Sequence, residues 1–133
     1  QAGHAFLLGY QRQYGTDDFI TLQDSGTLMT NHANNIFAYA RERSWQLRYD
    51  YDFAAAGVPG LSLMTRYIHG SHVQRSNADG GHEWERDASL RYVVQSGEWR
   101  SLGLAVSFSQ LRSTFQSSFD ETRVTVSYPI TLF

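Results

Sequence analysis

The sequence predicts an all-β chain, an antiparallel transmembrane β-barrel of which about six strands are present, and three observations carry that expectation. Apolar and polar residues alternate over long stretches, as in strands with one oily and one polar face. The oily positions hold large aromatic side chains, from a complement of eight Tyr, eight Phe and three Trp. No run approaches the roughly 18 consecutive apolar residues of a spanning helix, whereas a barrel strand needs only about 9 to 11, half of them facing water. A mean hydropathy of −0.42 therefore does not argue against a membrane in this fold.

The first strand is expected from His4 to Tyr14, with Phe6, Leu8 and Tyr10 on one face and Ala5, Gly9, Gln11 and Gln13 on the other; Leu7 breaks the pattern. Residues 15 to 41 are polar and turn-rich and read as a long loop, with Ile36 to Tyr39 returning towards order. The second strand alternates most cleanly. Trp45, Leu47, Tyr49, Tyr51 and Phe53 oppose Ser44, Gln46, Arg48, Asp50 and Asp52. After the AAAGVPG turn, Leu61, Leu63, Thr65 and Tyr67 oppose Ser62, Met64 and Arg66, giving a third strand that ends near Gly70. Ser71 to His82, rich in Gly, Asn, Asp and His, reads as a second outer loop.

Trp84, Ala88, Leu90, Tyr92 and Val94 mark a fourth strand, with Arg86 on its oily face at a position from which it reaches the headgroup region. Ser96 to Arg100 is a tight turn. A fifth strand carries Leu102, Leu104, Val106 and Phe108 against the small residues Gly103, Ala105, Ser107 and Ser109. Ser113 to Asp120 is a modest loop. The sixth strand, Glu121 to Phe133, sets Val124, Val126, Tyr128, Ile130 and Leu132 against Arg123, Thr125, Ser127, Pro129 and Thr131, with Phe133 out of phase. The connections alternate between long and short, as in barrels with long outer loops and short periplasmic turns. Trp45 and Trp84 fall at the loop side and Phe53 and Phe133 at the turn side, as two interfacial girdles require.

A soluble β-sandwich binding module is the alternative, because it too needs one oily face. Aromatic bulk on that face and Arg at strand centres on the other favour the barrel. Residues 1–133 read as a single unit without a linker or repeat. The net charge of −2 gives no reason to expect nucleic acid, and the absence of Cys excludes disulfides and thiolate metal sites. His69, His72 and His82 match no zinc spacing, so no metal is expected. No nucleophile elbow, HExxH, phosphate loop or dinucleotide fingerprint appears, so neither an enzyme nor a cofactor is expected. All eleven basic residues are Arg, a composition suited to recognising carboxylates.

The segments SWQLRYDYDFAAAGVPGLSLMTRYIHG and LRYVVQSG, with the preceding HAFLLGYQRQYG and the ending VSYPITLF, resemble the C-terminal third of the OprD (Occ) family of outer-membrane porins. The resemblance implies the last six strands of a monomeric 18-stranded barrel in the Gram-negative outer membrane. The remaining strands would come from a longer chain, or less readily from further copies, since about eight strands are the smallest closed barrel. It implies passive diffusion of small carboxylate-bearing nutrients, amino acids or organic acids, through an arginine-lined pore, with outer-membrane lipid and lipopolysaccharide outside. Arg48, Arg66, Arg91 and Arg123 match the family's basic ladder. Counting from the turns sets the first three at similar height and Arg123 higher. Asp17 and Asp18, beside Phe19, match the acidic and aromatic residues of the family's pore constriction. The plainer reading has Arg48 paired with Asp50 or Asp52 and Arg91 with Asp87, as ion pairs that only stiffen the wall.

Overall fold

A computed structural model describes residues 3–19, 34–76 and 78–130. It contains one six-stranded antiparallel sheet in simple up-and-down order: β1 (His4–Arg12), β2 (Arg43–Asp52), β3 (Leu61–Arg75), β4 (Ala78–Val93), β5 (Gly103–Ser113) and β6 (Phe119–Ser127). Each strand pairs only with its sequence neighbours, so every hydrogen-bonded ladder is local. Among the described residues the only helical element is a single 3₁₀ turn, Phe53–Ala56, between β2 and β3. Asp52 starts that turn by accepting the Ala54 N–H at 2.9 Å, and Gly57 ends it in the left-handed conformation at φ 85°.

The alternation read from the sequence survives in three dimensions. Phe6, Leu8, Leu47, Leu90, Val106, Val124 and Val126 stand exposed on one face, with Phe6 75% and Val124 70% accessible. Among the described residues no second sheet covers this face, where a sandwich would have one. Aromatic rings gather at both of its ends. At the loop end Trp45 lies 5.3 Å from Tyr67 and stacks on His69 at 6.1 Å, and Tyr67 lies 6.3 Å from Trp84. At the turn end Tyr51 meets His4 at 4.5 Å and Phe53 at 4.6 Å, and Trp99 meets Tyr128. Trp45 and Phe53 are about 26 Å apart along their strand at roughly 3.3 Å per residue, and tilting the strand shortens that span to near the height of a barrel's apolar band. Arg86 stays on the apolar face with its guanidinium carbon 4.8 Å from the Trp84 ring centroid and 5.8 Å from that of Tyr67. These ring faces supply the attraction that lipid cannot.

Several boundaries differ from expectation. The stretch Ser71 to His82 is not a loop: β3 continues to Arg75 and β4 begins at Ala78, with pairs Val73↔Gly81, Gln74↔Asp79 and Arg75↔Ala78. Backbone pairing overrides the loop-like composition. A register shift accommodates the extra residues, with His72 at φ 64°. The sixth strand is assigned only to Ser127, and the expectations for Leu132 and Phe133 lie outside the described residues, as does most of the predicted loop between residues 20 and 33.

Candidate functional site

The polar face of the sheet is organised in rows set by the strand register. One row runs Leu7, Arg48, Arg66, Asp87, Ser109, Glu121, which places Leu7 on the polar face beside Arg48. The next row towards the turn side holds Asp50, Met64, Ser89, Ser107 and Arg123. The one below that contains Asp52, Ser62, Arg91, Ala105 and Thr125. Arg48 and Arg66 are therefore directly opposite, while Arg123 lies one row and Arg91 two rows further towards the turn side. Leu61 pairs with Tyr92 and not with Gln95, so the strand feet are staggered across the rows and, with tilted strands, a row is not a level in the membrane.

The side chains divide the four arginines by their partners. Arg66 and Asp87 form a buried pair with an Nη2–Oδ2 distance of 2.7 Å and Nε donating at 2.9 Å. The Ser109 hydroxyl donates to the other carboxylate oxygen at 2.7 Å. Arg48 grips Asp50, two residues along its own strand, through Nε at 2.8 Å and Nη2 at 2.7 Å, and both side chains remain about one-third exposed. Arg123 pairs with Glu121 in the same way. Arg91 forms no ion pair among the described residues, so Asp87 serves Arg66 and not Arg91. The small residues of β5 leave room beside these groups. A cavity of 170 Å³ is lined by Arg66, Asp87, Ser107, Ser109 and Arg123, and one of 340 Å³ by Arg91, Gly103, Ala105 and Thr125.

Above these rows, the end of the β1–β2 connection lies on the polar face. Phe37 is completely buried on Ile68 and Leu111, and its carbonyl accepts from Gln11 Nε2 at 3.0 Å. Four carboxylates hold this segment through its own polar groups. Glu85 accepts the Asn34 and Asn35 N–H groups at 2.8 and 2.9 Å, and Glu83 accepts the Asn35 side-chain amide at 2.7 Å and that of Gln116 at 2.6 Å. Glu42 accepts the Tyr39 N–H at 3.0 Å, and Asp18 the Ala40 N–H at 2.8 Å. Gly70 is required beneath them, because a Cβ there would collide with the Glu42 carboxylate and approach the Phe37 ring to 3.0 Å. Burial above all pushes Glu42 up to about 8; its hydrogen bond from Tyr39 works in the opposite direction, and the nearby Glu83 and Asp18 carboxylates add to the rise.

Asp17 and Asp18 thus separate. Asp18 braces the returning segment and lies 3.9 Å from Arg75, while Asp17 is exposed at the surface of the loop. Glu42, Glu83 and Glu85 are the site residues that sequence reading missed. Their signal was the run Glu83, Glu85, Asp87 on alternate positions of a polar face next to a long loop. That signal says acids, but not what they hold.

An exposed apolar face bounded by two aromatic bands, backed by a polar face with a folded-in segment, defines a piece of outer-membrane β-barrel wall. The sequence matches the outer membrane porin, OprD family, over residues 1–132, and the chain belongs to that family. It is 41% identical to the porin-like protein GalP of Pseudomonas putida over 98% of this chain and 32% of that protein. A BenF-like porin from Pseudomonas fluorescens Pf-5 superposes with a TM-score of 0.93 at 41% identity, covering 98% of this chain and 35% of the other. OpdK of Pseudomonas aeruginosa, solved with vanillate, superposes at 0.89 with 43% identity over 96% of this chain and 34% of that one. The chain spans about a third of the length of these relatives. Its location is the outer membrane, and its relatives are channels rather than enzymes.

Two outcomes follow from the pairings. Glu42 has a folded-state value above its unfolded one, so its contribution to docking is complete below the ordinary carboxylate range near 4.5 and is lost as pH rises through about 8. Hydrogen-exchange protection at the Tyr39 and Ala40 amides, corrected for the intrinsic rate, should fall across that upper window, and Glu42→Gln should flatten the response. For the buried pair, Arg66→Leu alone should cost about 3 to 5 kcal/mol in urea unfolding of the complete porin, because it strands the Asp87 charge, whereas Arg66→Leu with Asp87→Leu should recover most of the loss.

Proposed function

We propose that this chain forms part of the wall of a substrate-specific channel for passive diffusion of small carboxylate-bearing nutrients, amino acids or organic acids, with the polar face lining the pore. The chain acts as a single unit, and the rest of the barrel comes from a longer chain. The observation that carries the reading is Arg91. It is a guanidinium on the polar face, beside a cavity walled by small side chains and without a carboxylate partner among the described residues. A fixed cation in a narrow aqueous lumen with low-dielectric walls concentrates anions. That vanillate, an aromatic carboxylate, accompanies the structure of OpdK supports the same substrate class.

Arg91, Arg123 and Arg48 lie in three successive rows, about 7 Å apart along the strands at two residues per row, but on β4, β6 and β2, so at roughly 4.8 Å per strand about 10 Å of sheet separates Arg91 from Arg123 and about 19 Å separates Arg123 from Arg48. A carboxylate meets them as separate cationic posts spread around the wall. The exposed pairs Arg48–Asp50 and Arg123–Glu121 are each worth roughly 0 to 1 kcal/mol, so a substrate carboxylate competes with the resident acid and is readily released. Such weak, repeated contacts are what conduction needs. Arg66, held by Asp87 in a buried pair, sets the shape and field of the wall and exchanges partners least. Asp17, on the exposed loop, is the acid available to a substrate amino group, while Asp18 acts through the loop it braces. The segment 34–40 narrows the lumen over the upper rows. Lipid and lipopolysaccharide meet the apolar face.

In the complete porin reconstituted in planar bilayers, Arg91→Gln should weaken carboxylate block of the ionic current severalfold, more than Arg66→Gln does in channels that remain folded. Block that is equal in the wild type and Arg91→Gln for every carboxylate tried would remove Arg91 from the path.

A further inference from the structure

A second basic cluster stands on the other side of the wall. Arg12 and Arg43 are the residues that follow Tyr10 and precede Trp45 in the outward-facing series, one alternation beyond the aromatic band, and they occupy directly opposed positions in the β1–β2 ladder. Like charges so placed repel, and an arrangement of this kind needs a counter-charge. Neither Arg12, Arg43 nor the adjacent Arg41 forms an ion pair among the described residues. All three line one cavity of 370 Å³ with His72, and Asp79 is its single carboxylate. Two of the four non-glycine residues with left-handed backbone among the described residues, Arg41 at φ 60° and His72 at φ 64°, line this same cavity. Backbone conformations of that kind persist where the surrounding structure holds them and gather at binding sites. Arg12 is further positioned over the Tyr14 ring at 4.7 Å.

We propose that Arg12, Arg41 and Arg43 bind a phosphate of lipopolysaccharide in the outer leaflet. The inference rests on the membrane orientation stated above, with the apolar face towards lipid, but not on the pore arginines. Depth selects the occupant: aromatic bands mark the interface, and the groups immediately beyond them meet the headgroups. Chemistry agrees, because guanidinium forks match phosphate oxygens in paired hydrogen bonds. A freely diffusing anion would have no reason to seek a site on the outside of the barrel, away from the lumen.

The test uses the complete porin in nanodiscs and the triple variant Arg12→Gln, Arg41→Gln, Arg43→Gln, with native mass spectrometry counting bound lipid. Three probes separate the sources: lipopolysaccharide with its lipid A phosphates, the same glycolipid after dephosphorylation, and inorganic phosphate alone. The wild type should retain the phosphorylated form at least tenfold better than the dephosphorylated form, and the variant should lose that preference with its single-channel conductance unchanged. Inorganic phosphate at the same concentration should not compete. Equal retention of the two glycolipids by the wild type, an undiminished preference in the variant, or competition by inorganic phosphate would overturn the assignment. So would a conductance that falls together with lipid binding, since it would place these residues at the pore mouth. If the triple variant fails to show the heat-shifted mobility of a folded barrel, Arg43→Lys provides the reading: it keeps the charge but loses the fork, and its preference should drop severalfold, with an unchanged preference counting against the proposal.

Discussion

In hydrocarbon a backbone N–H or C=O has no water to turn to, and the rest of this structure depends on that constraint. It forces the chain into strands whose polar groups are satisfied by neighbours, which here means an unbroken series of ladders from β1 to β6. Pairing of this kind sends alternate side chains to opposite faces. One face must then be apolar enough for lipid, and all the polar chemistry of the strands collects on the other. Arg48, Arg66, Asp87, Arg91 and Arg123 occupy the same side for that reason, before any question of substrate arises.

Concentrating charge on one face creates a second problem, and the sheet solves it in two ways. Arg48 and Arg66 face each other directly across β2 and β3, an unfavourable juxtaposition that Asp50 and Asp87 neutralise from either side. The exposed Asp50 partnership is loose, and the buried Asp87 partnership, reinforced by Ser109, is tight. Further up, carboxylates are used chiefly on N–H groups, with Arg75 near Asp18 as the cation of an ion pair. Glu83, Glu85, Glu42 and Asp18 accept N–H groups from the segment that lies across the face, so acidic side chains serve as anchors for a backbone that has no strand partner of its own. The barrel wall thereby holds an irregular segment over the lumen side.

Much of this was legible in the sequence. The identity of all six strands and the faces taken by Arg48, Arg66, Arg86, Arg91 and Arg123 followed from a period of two, and the aromatic bands followed from where Trp45, Trp84 and Phe53 fall. What stayed hidden shares one physical origin. Register between neighbouring strands is a property of two segments together, so the stagger that sets Arg91 and Arg123 in other rows than Arg66 leaves no mark in either strand alone. The extension of β3 and β4 past Gly70 was hidden for a related reason, since a Gly- and Asn-rich composition is overruled once two backbones can pair. The role of Asp18 was hidden by distance: its partner, the Ala40 N–H, lies 22 residues further along the chain.

The central claim is that the face carrying Ala105, Ser107 and Ser109 meets water and the face carrying Leu104, Val106 and Phe108 meets lipid. This chain has no cysteine, so single cysteines introduced along β5 in the complete porin report without interference from this segment. In intact outer membranes, a small membrane-impermeant thiol reagent should modify cysteine at positions 105, 107 and 109 and leave 104, 106 and 108 unmodified. Modification of the second set, or of both sets equally, would contradict the account.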